Sequence, residues 1–139
     1  MNNYNYYDTF SNSYANQNNQ INDDSMLFGA YEGYLKGNLF KDLYEQYKNY
    51  TPATIRPTSE KEQELFNLNQ VAFAMHDLNL YLDIYPNDRN MLNTFMEYQR
   101  MYKNILENYE QKYGPINVTD VDGNIPFSWE SKNFPWEVK

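Results

Sequence analysis

The sequence predicts an all-α fold: an antiparallel two-helix hairpin with an additional short N-terminal helix, a disordered N-terminal tail and an irregular aromatic C-terminal tail. Three observations carry this. Residues 58–114 hold two apolar seams at helical spacing. Pro86 stands between the seams and stops the first helix. No such periodicity exists in residues 1–25 or 115–139. The chain therefore divides into a tail (1–25), a linking unit (26–57) and the hairpin with its C-terminal extension (58–139).

The first 25 residues are low in complexity and dominated by Asn, Gln and Tyr, with Phe10 and Ile21 their strongly apolar members. Such a segment buries too little surface to offset its ordering entropy, so disorder is expected. Asn/Gln tracts with interspersed Tyr also belong to the class prone to self-association. In the second unit Gly29, Gly33 and Gly37 interrupt helix at four-residue spacing, each at a cost of about 1 kcal/mol relative to Ala. Beyond them Asn38 is a candidate cap, and Leu39, Phe40, Leu43, Tyr44 and Tyr47 form one stripe. A short helix is expected near 39–48, ended by Thr51-Pro52. A helix that short must dock on something, either this chain or a partner.

The hairpin is more strongly written. Ser59 and Glu62 form a capping-box pattern. Leu68, Val71, Met75, Leu78, Leu82 and Tyr85 recur at alternating spacings of 3 and 4, and so do Met91, Phe95, Tyr98, Tyr102, Ile105 and Tyr109. Asn87 or Asp88 can cap the second helix, and Gly114-Pro115 ends it. Two helices of about 25 residues, roughly 37 Å each, joined by so short a turn must run antiparallel. Apolar residues also lie off the seams: Leu65, Phe66, Phe73, Leu80 and Ile84 on the first arm, Leu92, Met96 and Leu106 on the second. Two helices cover only one stripe of each other, so a third element or another protein must bury the remainder. Past Pro115 the chain is irregular, with Phe127, Trp129, Phe134 and Trp136 set among polar residues, Pro126 and Pro135. Either this segment folds back over the hairpin or its rings anchor a partner.

The composition excludes several functions. The chain of 139 residues has no Cys and one His, which removes disulfides, thiolate metal sites and cysteine nucleophiles. No apolar run approaches the length of a membrane span. The Asn/Tyr-rich start lacks the basic and apolar stretches of a secretory signal. The net charge of −8 is spread along the chain, and without clustered Lys or Arg neither nucleic acid nor an anionic membrane is an expected partner. Tyrosine is in excess, 15 residues against 8 Phe, a bias suited to interfaces.

Catalytic readings fail on geometry. His76 and Asp77 are adjacent, so on a helix they point about 100° apart. A bundle-type di-metal site needs two Glu-x-x-His pairs, and no Glu lies three residues before His76. Asp120-Val-Asp-Gly resembles the start of a calcium loop but lacks the Glu at the twelfth position, so a turn is expected. No catalytic residue, metal ligand or cofactor is assigned. Asp83, near the C-terminal end of the first helix, opposes the helix dipole. It is expected to accept from backbone N–H groups of the second helix or to pair with Arg89.

The stretch His76-Asp-Leu-Asn-Leu-Tyr-Leu-Asp83-Ile-Tyr-Pro-Asn-Asp88, the later Tyr109-Glu-Gln-Lys-Tyr-Gly-Pro115 and the terminal Pro135-Trp136-Glu137 together resemble the spore coat protein JB family, CotJB. The tail carries one Pro-Trp where members of that family often have several. Residues Glu32 to Tyr44 and Tyr47 to Pro52 resemble the companion coat protein JA, CotJA. The resemblance implies a sporulation protein made in the mother cell and laid into the endospore coat. It also implies other coat proteins as partners, among them the manganese-catalase-like CotJC, which would supply any metal chemistry.

The resulting expectation is a structural and interaction protein that docks through apolar and Tyr surface and can self-associate. Tail tyrosines are candidates for oxidative cross-linking. The rival is a small cytoplasmic helical adaptor or accessory subunit of an enzyme. Partner contact is assigned to Leu39, Phe40 and Leu43, to Phe73, Leu80 and Tyr81, and to Phe127, Trp129, Phe134 and Trp136. Structural roles are assigned to Asp77, Asp83, Pro86, Asp88, Gly114 and Pro115.

Overall fold

A computed structural model describes residues 26–43, 48–127 and 129. Three α-helices occur among them: α1 (Ala30–Lys36), α2 (Glu60–Ile84) and α3 (Arg89–Tyr113). Single 3₁₀ turns lie at Lys41–Leu43 and Val118–Asp120. The disorder expected of residues 1–25 lies outside the described residues.

The boundaries of α2 follow from local chemistry. Ser59 Oγ accepts from the Glu62 N–H at 3.2 Å, and Glu62 reaches back to accept from the Thr58 N–H at 2.7 Å and the Thr58 hydroxyl at 2.9 Å. These bonds satisfy amides that the first helical turn leaves over. They also hold the Glu62 carboxyl below its usual range, the Thr58 N–H contributing most. The helix ends at Tyr85, ahead of Pro86. Asp88 then caps α3, its Oδ1 accepting from the N–H groups of Asn90 and Met91, both at 3.1 Å. Gly114 closes α3 at a φ of 92°, a region open to glycine, and its N–H donates to Glu110 O at 2.9 Å.

The two long helices pack antiparallel. Leu68, Val71, Leu78, Met91, Tyr98 and Ile105 of the two seams are buried between them, with Met75, Leu82, Phe95 and Tyr102 partly buried against this core. At the open end Lys112 of α3 bridges Glu60, at 3.4 Å, and Glu64 of α2. Its ammonium is held well above the usual lysine range, chiefly by the bond to Glu64.

The short helix expected near 39–48 is corrected. Helix forms earlier, at 30–36, and the chain bends at Leu39 so that Phe40 pairs antiparallel with Leu27. Residues 44–47 lie outside the described residues. The glycines read as breakers frame α1 instead. Gly29 is its N-cap and Gly37 its C-cap, the latter left-handed at a φ of 71°. Gly33 is buried inside the helix, where a Cβ would stand 3.0 Å from Leu39 Cδ1 and 3.3 Å from Leu39 Cα. Its missing side chain lets Leu39 pass directly beneath the helix. Asn38 Oδ1 accepts from the Phe40 N–H at 2.9 Å, which fixes the turn into the paired segment.

Residues 26–43 lie on α2, on the side away from the seam with α3. Tyr34 sets its ring against Phe66 and Phe73, with centroids 5.7 and 6.0 Å apart, and Tyr31 meets Phe66 at 6.0 Å. Leu27, Ala30, Leu39 and Phe40 join the same buried cluster as the seam residues. Helix α2 is therefore the middle layer of three. This is why its apolar residues run around it, whereas those of α3 gather on one face.

Candidate docking surface

Asp77 ties the N-terminal unit to the hairpin: its Oδ2 accepts from the Leu39 N–H at 2.8 Å. The neighbouring His76 points to solvent. The pair thus splits as helix geometry requires, one residue to the docked segment and one to water.

Tyr81 forms the second junction. Its ring stacks on Phe40 with a centroid distance of 5.0 Å and an interplanar angle of 22°. Its hydroxyl donates to Asp88 Oδ2 at 3.1 Å. The N-terminal unit, the end of α2 and the cap of α3 therefore meet at one side chain. Burial, reinforced by Asp88, raises the Tyr81 hydroxyl above the usual tyrosine range. The Asp88 carboxyl is lowered, first by the Met91 N–H and further by Tyr81 and Asn90.

The work expected of Asp83 falls to Asp88: Asp83 is exposed, and both amide bonds at the start of α3 go to the later residue. Asp88, five positions on from Asp83, sits at the N-terminus of the next helix, where the dipole favours its charge.

The residues assigned to partner contact separate into two groups. Leu39 and Phe40 lie in the interior, and Phe73 and Tyr81 are half-buried beneath the N-terminal unit. Leu43 is exposed, at 71%, as are Leu80 and Phe127. Trp129 is half-buried, and Phe134 and Trp136 lie outside the described residues. Further exposed apolar side chains at the bend end are Ile84, at 71%, and Tyr85, followed on α3 by Leu92 and Met96. Leu80 and Ile84 are one turn apart and share a face of α2. The off-seam apolar surplus is thus partly covered from within, and what remains open on the long helices is concentrated toward Pro86. Sequence reasoning placed Ile84, Leu92 and Met96 off the seam but did not name them as contacts. Their periodic position was the available signal.

Between α3 and residue 127 the chain is irregular apart from the turn at Val118–Asp120, and the Ile116 N–H donates to Glu110 Oε1 at 3.0 Å. Asp120 and Asp122 accept from Asn117 and Asn124 respectively. Among the described residues no group of three or more His, Cys, Asp or Glu is placed to hold a metal ion. No helix among them is long and apolar enough to cross a membrane.

No curated protein and no solved structure matches the chain. A family model does, that of the CotJB protein, over residues 62–137. The match takes in α2, α3, the bend with its exposed apolar residues, and the C-terminal segment, and leaves α1 outside. More than half of the sequence carries the family pattern, and the chain belongs to the CotJB family of spore coat proteins.

Proposed function

We propose that the chain is a structural docking protein of the bacterial endospore coat, made in the mother cell, which joins the coat by binding a manganese-catalase-like component. Family membership supports the coat setting. The observation that carries the docking role is the exposed apolar end of the hairpin, where Leu80, Ile84 and Tyr85 face water while most of the seam is buried. Large apolar side chains clustered in the open mark interaction sites. Asp77 is engaged by a backbone amide and His76 is solvated, so neither is arranged for acid–base work.

Co-expression with the manganese-catalase-like protein tests this directly. The full chain is expected to co-purify with it, and a Leu80→Glu, Ile84→Glu chain is expected to fold yet fail to do so. A fluorescent fusion is expected to form a ring around the forespore. Diffuse signal during growth, together with absence of co-purification, would refute the reading in favour of a cytoplasmic adaptor.

A further inference from the structure

Tyr81 and Tyr85 stand one helical turn apart at the end of α2, with ring centroids 4.8 Å apart and an interplanar angle of 39°. Tyr109 and Tyr113 make a similar pair at the end of α3, at 4.9 Å and 51°. The surroundings of the two pairs differ. Tyr109 is buried, at 5%, whereas Tyr85 is 55% exposed. Tyr81 is half-buried, with Phe40 stacked on its ring as well, and its hydroxyl donates to Asp88 Oδ2 at 3.1 Å. The bend end therefore holds a phenol open to solvent, a second phenol against it, and a carboxylate accepting the second phenol's proton.

A phenol gives up an electron readily only as its proton leaves, and an acceptor already at hydrogen-bond distance takes that proton without rearrangement. Asp88 is this acceptor for Tyr81, and water is for Tyr85. An oxidant at the surface meets Tyr85 first, and Tyr81 is reached across the ring contact. Two phenoxyl radicals couple through the ring carbons beside their oxygens. Rings on separate molecules must first meet, whereas these two are held together, which makes their coupling unimolecular.

We propose that Tyr81 and Tyr85 are an oxidative modification site, at which a one-electron oxidant of the haem-peroxidase class, supplied with hydrogen peroxide, couples the two rings into a dityrosine staple across the last turn of α2. Each ring loses one electron and one proton, the Tyr81 proton to Asp88 and the Tyr85 proton to water. A carbon–carbon bond forms between the ring carbons ortho to the two oxygens. The hydrogens on those carbons move to the oxygens, which restores both phenols. The chain loses two hydrogen atoms in all, and the two electrons and two protons reduce one hydrogen peroxide to two waters. The staple fixes Tyr85 to the ring that already joins residues 26–43 to the cap of α3, so it hardens the bend end without linking chain to chain. This inference needs only the ring geometry and stands apart from the coat reading.

The full chain, kept dilute and treated with a haem peroxidase and hydrogen peroxide, tests it. Trypsin releases residues 62–89, whose tyrosines are Tyr81 and Tyr85 alone. This peptide is expected to lose two hydrogen atoms and to give no backbone fragments between Tyr81 and Tyr85 in tandem mass spectrometry. Tyr85→Phe, at an exposed position, is expected to keep the fold and abolish the change. Asp88→Asn keeps a good helix cap and is expected to slow the coupling several-fold at unchanged helix content by circular dichroism. A peptide 62–89 that keeps its mass, under conditions that couple free tyrosine, overturns the proposal. The same mass loss in Tyr85→Phe overturns it equally, because the bond would then not join these two rings. Coupling in Asp88→Asn at the unaltered rate overturns the part given to the carboxylate.

Discussion

Replacing Asp77 by alanine takes the acceptor from a backbone amide that belongs to a fully buried residue, since Leu39 is 0% exposed. A buried donor left without a partner costs about 1–3 kcal/mol. The lost acceptor is a carboxylate at 2.8 Å, which places the expected loss in the upper half of that range, about 2 kcal/mol. Asp77→Asn keeps an oxygen at the same position and is expected to lose about half as much. With a urea slope of about 1–2 kcal/mol per molar, Asp77→Ala lowers the midpoint by about 1–2 M. Amide hydrogen exchange locates the effect: Leu39, Phe28 and Lys41 should lose protection together, because the latter two amides close the pairing with residues 26–28. His76→Ala, one position away and exposed, should change stability by less than about 0.5 kcal/mol. An Asp77→Ala chain with an unchanged midpoint and a protected Leu39 amide would refute the account of how the N-terminal unit is held.

Leu39→Ala should cost about 2–5 kcal/mol in urea unfolding, as at other fully buried leucines, whereas exposed Leu80→Ala should be nearly silent. Gly33→Ala gains up to about 1 kcal/mol of helix propensity but presses a methyl into Leu39 at 3.0–3.3 Å, so a falling melting temperature is expected and a rising one would contradict the packing described. The carboxyls of Asp88 and Glu62 are lowered in the folded chain by backbone N–H groups, so their contribution is full above the unfolded value near pH ~4 and is lost as pH falls through the folded values. The urea midpoint should therefore drop on the acid side, and less steeply in Asp88→Asn. Tyr81 and Tyr109 are raised, mainly by burial, so their contribution is present below pH ~10 and lost as pH rises through the folded values. Tyrosinate absorbance should show Tyr81 and Tyr109 titrating late and becoming ordinary in urea.

The hairpin was legible because its signals are local. Ser59, Glu62, Pro86 and Gly114 act within a few residues of themselves, and the seams repeat on a period set by the helix. The N-terminal unit was not legible because its glycines are explained by distant or geometric demands. Propensity counts Gly33 as a breaker, and only the passage of Leu39 beneath it makes the residue necessary. Asp77 was marked as structural, but its partner lies 38 residues away and is a main-chain amide, which no side-chain pattern reveals. Leu39 and Phe40 look like contact residues for the same reason. Their apolar character is visible in sequence, but whether the surface they cover belongs to this chain is decided by tertiary packing. The choice of Asp88 over Asp83 turned on which carboxylate reaches the first amides of α3, a matter of about one helical turn.

The junction at Tyr81 has a mechanical meaning. Met26 is bonded to Lys41 beside Phe40, at the bend end, whereas α3 hands over to the C-terminal segment at the opposite end, beside Glu60 and Glu64. Met26 and Gly114 thus lie toward opposite ends of a helix of 25 residues, about 37 Å long. Tension between them pulls the N-terminal unit along α2 rather than peeling it away. The ring edges, the stack and the Asp77 bond then bear load in parallel. Such a unit resists stretching along its axis and yields to a sideways tug at Met26, a directional strength suited to a strut.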